Sequence, residues 1–278
     1  MNTNKTFSKV SDNSSWDGMV SVDDTELSVS DSGGSGRPVI YLNGSYATRR
    51  SWRPVIAELG DDWRHITFDE RARGRSKKSA DYSFEACLRD IDAVTTARNV
   101  QRPLIVGWSY GAALAVQWAT RNPGRVAGVV MVDGGYPWDY LATVDNGDRE
   151  AGRAEIRRLF RKMRVPMAIA GMLGLAARMS AAQAAEVNIE LNEIVAASDP
   201  VFDRVDFPMR FIVGSGGAQG ATEEGHAAMR ATLTPILARN PHVQVGAKVP
   251  SNHTAIVRKD FRAIATAVHE IAAQDTDH

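Results

Sequence analysis

Short apolar runs recur along this 278-residue chain: "PVIYL" at 38–42, "RHITF" at 64–68, "PLIVG" at 103–107, "VAGVVMV" at 126–132 and "MRFIVG" at 209–214. A strand with one wet face alternates apolar and polar residues, so near-continuous runs of this length predict strands covered on both faces. "VQVGAKV" at 243–249 is a poorer sixth. Between the runs lie segments with helical spacing: "RRSWRPVIAEL", "SFEACLRDIDAVTTARN", "YGAALAVQWATRN", "EEGHAAMRATLTPILARN" and "AIVRKDFRAIATAVHEIAA". Strand alternating with helix predicts an α/β fold, a mainly parallel sheet with helices on both faces. Ahead of this pattern, "GMVSV" and "ELSVSDSG" alternate about a short acidic turn and predict an antiparallel hairpin at 18–31.

One interval breaks the alternation. From Pro137 to Asp206 the chain is rich in Ala, Arg and Met and carries no strand pattern, too long for an ordinary connection, so an inserted helical subdomain is expected. The expected organisation is a loose polar tail at 1–16, a core formed by 17–136 and 207–278, and the helical insertion at 137–206. Residues 1–16 lack the apolar centre of a secretory signal. The longest apolar stretch, "VPMAIAGMLGLAA" at 165–177, has arginines on both sides and is too short to cross a bilayer. A soluble, cytoplasmic protein without a membrane span is expected.

Apolar residues make up 44% of the chain, and 33 acidic residues balance 33 basic ones. That composition fits one globular domain. Zero net charge gives no reason to expect nucleic acid or an anionic membrane as partner, which leaves a small molecule as the default. Cys87 stands alone, so an intrachain disulfide, a multi-cysteine zinc site and a redox pair are excluded.

The residues that carry chemistry start at "GWSYG", Gly107 to Gly111. Five letters are weak by themselves, but these follow the apolar run "PLIV" and open the helical segment "YGAALAVQWATRN", the strand–turn–helix setting of a nucleophile elbow. The glycines leave room as the chain reverses, and Ser109 would be held in an unfavourable backbone conformation. The bland alternative is a tight turn without chemistry.

A serine hydroxyl needs a base, and histidine titrates near neutrality. In a parallel sheet the active edge is where strands end. His65 and His242 lie at or before strand starts, His226 lies inside a helix, and His269 and His278 are far along or beyond the last helix. His253, after the last strand and before the last helix, remains.

With "GWSYG", "VIYLNGSYATRRSW" after the first parallel run, "DERARGRS" after the next, the helical insertion and a late "SNHTAI", the chain resembles the α/β-hydrolase fold superfamily from about residue 18 to 273. The resemblance implies esterase, lactonase, thioesterase, acyltransferase or cofactor-free haloperoxidase chemistry, a helical cap over the cleft, and His253 as the base. It also exposes a departure. Most relatives carry the triad acid just after the strand that follows the insertion, where this chain reads "VGSGGAQGATEEGH" with Gly217 in place of Asp. Asp133, at the end of "VVMVDGG", is the first substitute, because some members place the acid there. Glu223 and Glu224 are the alternative, and a water-supported dyad is the third. Asp133 as a plain loop residue is the structural rival.

An oxyanion intermediate needs donors placed in advance. The Tyr110 amide supplies one, and the Ser45 amide is expected to supply the other from Asn43-Gly44-Ser45, where the family usually has His-Gly-x. The basic loop "RARGRSKK" at 71–78 is expected to be a solvated connection, and the Arg49-Arg50 pair likewise. "MAIAGMLGLAARM" at 167–179 is expected to face inward, as the wall of an apolar acyl pocket or as core packing.

The expected activity is serine hydrolysis of an ester, lactone or thioester of a small apolar molecule through an acyl-enzyme, with Ser109, His253 and Asp133 as triad and no cofactor or metal. An aspartate nucleophile would have suggested haloalkane or epoxide chemistry. The alternatives are haloperoxidase, acyltransferase or C–C hydrolase chemistry on the same triad, or a non-catalytic small-molecule-binding protein on this scaffold.

Overall fold

The computed structural model describes residues 14–143, 147–172, 177–216 and 223–275. Its centre is an eight-stranded sheet in the order β1-β2-β4-β3-β5-β6-β7-β8. β1 (Trp16–Val22) and β2 (Thr25–Asp31) form the expected antiparallel hairpin, and β2 joins β4 antiparallel. β3 (Arg37–Leu42), β4 (Trp63–Phe68), β5 (Leu104–Trp108), β6 (Gly128–Val132), β7 (Met209–Gly214) and β8 (Val243–Val249) are mutually parallel. β1 begins at Trp16, inside the expected tail, and residues 1–13 lie outside the described residues.

The apolar runs divide between two faces by strand periodicity. In β3, Val39 and Tyr41 point to one face with Trp52, Val55, Ile264 and Val268, while Ile40 and Leu42 point to the other with Ile91, Leu114 and Phe211. The first face is covered by α1 (Arg53–Leu59), α10 (Ile256–Lys259) and α11 (Phe261–Asp275); the second by α2 (Phe84–Ala97), α3 (Tyr110–Arg121) and α9 (Leu233–Arg239). β8 is an edge strand, with its middle residues exposed or half-buried alternately, which explains its weak apolar pattern. The single helical pattern at 223–240 is realised as α8 (Glu223–Ala231) and α9, broken at Thr232.

Between β6 and β7 the described residues are helical: α4 (Tyr140–Thr143), α5 (Arg149–Lys162), α6 (Arg164–Met172), α7 (Ala181–Ala196) and a 3-10 turn at Asp199–Arg204. Asp148 caps α5 by accepting from the Glu150 and Ala151 amides, and Ser180 with Gln183 forms a capping box on α7.

Strand order locates the cleft. β3 lies between β4 and β5, so the chain leaves it first to one side and later returns to the other. At such a switch point the loops after neighbouring strands diverge and open a crevice at the strand ends. The loops after β3 and β5 carry Asn43-Gly44-Ser45 and Ser109.

Two sequence expectations fail in part here. The loop after β4 is a solvated connection only in part: Arg75, Lys77 and Lys78 are exposed, but Arg71, Arg73 and Ser76, like the preceding Asp69 and Glu70, are each at most 2% exposed. Arg71 is matched by Asp90 at 2.8 Å and by Asp23 at 2.7 Å, so its charge is buried with partners. Arg49 is similarly engaged, its amide on Asp69 and its guanidinium on Asp17, while Arg50 is exposed. The stretch at 167–179 does not face uniformly inward either. Met179 and Ala177 are buried, but Ile169 and Met172 point outward, and 173–176 lie outside the described residues. α6 meets the rest of the protein through buried Gly171 and through Met167, which packs half-buried against the core.

Candidate active site

Ser109 stands between the last residue of β5 and the first of α3, with φ 55° and ψ −113°, a region that side-chain-bearing residues rarely adopt. The turn is tied by Ser109 N–H donating to Val132 C=O at 3.0 Å and by Ser109 C=O accepting from Ala112 N–H at 3.1 Å. A Cβ on Gly107 would meet the Gly111 carbonyl, and one on Gly111 would meet the Leu42 carbonyl. The two glycines of the motif therefore answer to close backbone contact.

His253 lies in the loop between β8 and α10 and spans the gap to Ser109. Its Nε2 is 2.9 Å from Ser109 Oγ, and its Nδ1 is 2.9 Å from Asp133 Oδ2. A carboxylate only accepts, so Nδ1 carries the proton and Nε2 of the neutral ring accepts from the serine hydroxyl. That is the tautomer a general base needs. Trp108 Nε1 donates to the His253 carbonyl at 3.1 Å, and the two rings lie 5.9 Å apart, so the residue before the serine also fixes the histidine loop.

Asp133 follows β6 with φ 42° and is 6% exposed. Its Oδ1 accepts from Gly214 N–H at 3.2 Å and from Tyr136 O–H at 3.1 Å, leaving Oδ2 for the histidine. Burial alone would raise this carboxyl, but the His253 hydrogen bond and charge, with the Gly214 and Tyr136 donors, outweigh it and hold it below its usual value.

The loop after β3 is held from beneath. Asn43, fully buried, donates from Nδ2 to Phe68 C=O and Glu70 Oε2 at 2.8 Å each, and accepts from Trp52 Nε1 at 2.9 Å. Its amide donates to Glu70 Oε1 at 3.0 Å. Arg73 donates from Nε to Ser45 C=O at 2.8 Å, and its guanidinium lies 5.8 Å from the centre of the Tyr110 ring. Among the described residues, neither the Ser45 nor the Tyr110 amide donates to a protein acceptor.

Residues 37–161 match the family profile described as alpha/beta hydrolase fold. Over this segment the chain has the α/β-hydrolase fold. Curated relatives include a haloalkane dehalogenase of Mesorhizobium japonicum, 28% identical over 144 residues, which are 51% of this chain and 45% of that protein. A serine hydrolase-like protein of Danio rerio is 30% identical over 101 residues, 35% of this chain and 31% of that one. The matched segments thus span less than half of these relatives. Among solved structures, a thioesterase domain from the curacin biosynthetic pathway aligns with TM-score 0.66 and 15% identity, covering 92% of this chain and all of that one. An esterase from Exiguobacterium antarcticum aligns with TM-score 0.64 and 18% identity, covering 91% and 98%. At these identities the alignments report the fold.

Within this α/β-hydrolase fold, Ser109, His253 and Asp133 meet in one hydrogen-bonded series, and Ser45 and Tyr110 lie on the two loops flanking the crevice. Glu224 is exposed on α8, and both His253 ring nitrogens are already engaged elsewhere. Gly217 and the Glu223 side chain lie outside the described residues. His65 bonds Tyr41 and Gly60 on β4, and His269 packs edge-on against Trp63. Among the described residues, no cluster of three His, Cys, Asp or Glu could hold a metal ion.

Sequence reasoning did not find Trp108, Tyr136, Glu70 or Arg73, nor the Gly214 amide. Tyr136 reaches Asp133 from three residues on, and the others act across the fold: Arg73 reaches Ser45 and Glu70 reaches Asn43 from the loop after a different strand.

Proposed function

We propose that this chain is a serine hydrolase that cleaves an ester, lactone or thioester of a small apolar molecule through an acyl-enzyme. The observation that carries this reading is the unbroken series Ser109 Oγ, His253, Asp133, with the second carboxylate oxygen occupied by two other donors. In the proposed reaction, His253 Nε2 takes the hydroxyl proton as Ser109 Oγ attacks the carbonyl carbon. Asp133 stays ionised and steadies the imidazolium. The Tyr110 and Ser45 amides donate to the developing oxyanion. His253 then protonates the departing oxygen or sulfur, leaving the acyl group on Ser109. Water, deprotonated by the same nitrogen, attacks that ester and releases the acid.

The serine also argues against the haloalkane chemistry named for some relatives. Displacement of halide by a hydroxyl would leave an ether on Ser109, which this machinery has no means to hydrolyse, whereas an acyl ester turns over. Preference for an apolar acyl group is supported by what adjoins the loop. The Tyr46 ring, next to Ser45, lies 6.1 Å from the Phe160 ring of α5, and its hydroxyl donates to Ala184 C=O of α7 at 3.5 Å. Helices α5 and α7 of the insertion therefore reach the residue beside Ser45, which supports reading the insertion as a cap.

A fluorophosphonate probe tests the reading. The wild type should label covalently and Ser109→Ala should not. An unlabelled wild type, or equal labelling of the variant, overturns it. A panel of lactones, short and long acyl esters and thioesters then ranks substrates.

A further inference from the structure

Seven large apolar side chains are conspicuously exposed among the described residues, and five of them fall within 159–172: Leu159, Met163, Val165, Ile169 and Met172, the last 80% exposed. On α6, Val165, Ala168, Ile169 and Met172 stand at i, i+3, i+4 and i+7, so they form one stripe, and that stripe faces solvent. A surface helix of a globular protein turns its apolar stripe inward. α6 has apolar residues beside the stripe too: Met167 and Gly171, with Ala168 and Met172 at the stripe's edge, line an open cavity of about 560 Å³ bounded also by Tyr82 and Met179. A helix that is apolar all round needs cover, and nothing in the described chain covers this one.

The surroundings of the stripe indicate what does. Residues 156–172 contain no Asp or Glu but five arginines or lysines. Arg157 pairs with Glu186 and Glu150, and Arg158 with Glu155. Arg161, Lys162 and Arg164 are exposed and have no ion-pair partner among the described residues. They form a cationic collar at the start of the apolar helix. The same seventeen positions hold no Ser, Thr, Asn or Gln, so the surface offers aliphatic groups and charged donors and no other side-chain hydrogen bonding. Protein interfaces draw much of their affinity from exposed aromatic anchors, and the one aromatic of this stretch, Phe160, is buried. A second copy of the chain, presenting the same stretch without Asp or Glu, would offer these cations no counter-charge.

We propose that the outward face of α6, with its collar of Arg161, Lys162 and Arg164, docks this protein onto an anionic lipid surface. Ile169, Val165 and Met172 enter the acyl–headgroup boundary while the cations meet lipid phosphates, the arrangement of an amphipathic helix lying in the interface. The overall neutrality of the chain conceals this, since the compensating acids lie elsewhere in the fold. The inference does not depend on the chemistry at Ser109.

Flotation of the full chain with phosphatidylcholine vesicles, with and without about 30 mol% phosphatidylglycerol, tests it. Binding should require the anionic lipid and should fall with salt. Arg161→Glu/Lys162→Glu/Arg164→Glu and, separately, Ile169→Asp/Met172→Asp should each weaken it at least about tenfold. Both variants alter exposed positions, and unchanged circular dichroism and urea-unfolding midpoints would show that they fold. Absence of binding to anionic vesicles at low salt overturns the proposal, as does binding that both variants retain. Polyglutamate binding without vesicle binding would assign the face to an acidic protein instead. Concentration-dependent dimerisation abolished by Ile169→Asp/Met172→Asp, without vesicle binding, would assign it to a second copy.

Discussion

Asp133 Oδ1 accepts the Gly214 amide at 3.2 Å, so the carboxylate that ends β6 is clamped to the end of β7. With Tyr136 O–H on the same oxygen, only Oδ2 is left for His253. The arrangement predicts what Asp133→Asn does. Its carbonyl oxygen will stay with the two donors, which turns the amide NH₂ toward His253 Nδ1. That nitrogen must then accept, the ring proton moves to Nε2, and the base is lost. Turnover of an activated ester should fall by about 10⁴ with the fold intact. Glu224→Gln should leave kcat within about twofold. Steady-state kinetics of the two variants decides, and a larger loss in Glu224→Gln would move the acid elsewhere.

Backbone strain at Ser109 is separable from its chemistry. Ser109→Ala removes the hydroxyl but keeps a Cβ at φ 55°, whereas Ser109→Gly removes both. Each should be inactive, and the glycine variant should be the more stable of the two by about 1 kcal/mol in urea unfolding. Equal midpoints would mean that the turn is not strained.

Arg73 is 1% exposed and holds the Ser45 carbonyl while lying against the Tyr110 ring. Arg73→Met leaves the loop unanchored, so kcat for ester hydrolysis should drop about 10- to 100-fold, with KM changed less. Arg73→Lys keeps the charge but cannot reproduce the planar fork and should recover little of the loss. An unchanged kcat in a folded Arg73→Met protein would release Ser45 from this role.

The depressed Asp133 carboxyl has a pH signature. Its pKa lies below the ordinary 3.8 in the folded protein. The unfolded chain therefore takes up the proton first as pH falls. The stabilising contribution is present above the unfolded value and is lost as pH drops through the folded one. The stability difference between wild type and Asp133→Asn should shrink as pH falls from about 5 toward 3. Urea unfolding at several pH values measures it, and a difference that does not change sinks the attribution.

Much of the architecture is legible in the residue pattern alone. Near-continuous apolar runs can only be satisfied by strands covered on both faces, which is why Arg37–Leu42 through Met209–Gly214 read as a parallel sheet. β8 is faint because an edge strand buries less. Ser109 is legible because strand, close-packed glycines and helix are consecutive in sequence, and His253 because chain direction in a parallel sheet determines which loops share an edge.

What the sequence by itself determined is whatever follows from local periodicity and chain direction: the α/β class, the helical interval between β6 and β7, and the edge of the sheet that bears Ser109 and His253. Only the tertiary structure decided which carboxylate faces His253, because that depends on β6 and β7 being neighbours, which no residue pattern encodes. It also decided that Arg71 and Arg73 are buried and that α6 turns its apolar stripe outward. A charged side chain is buried or a hydrophobic one exposed according to the partners the fold brings near it. Those partners, Asp90 for Arg71 and Ser45 for Arg73, lie 19 and 28 residues away along the chain.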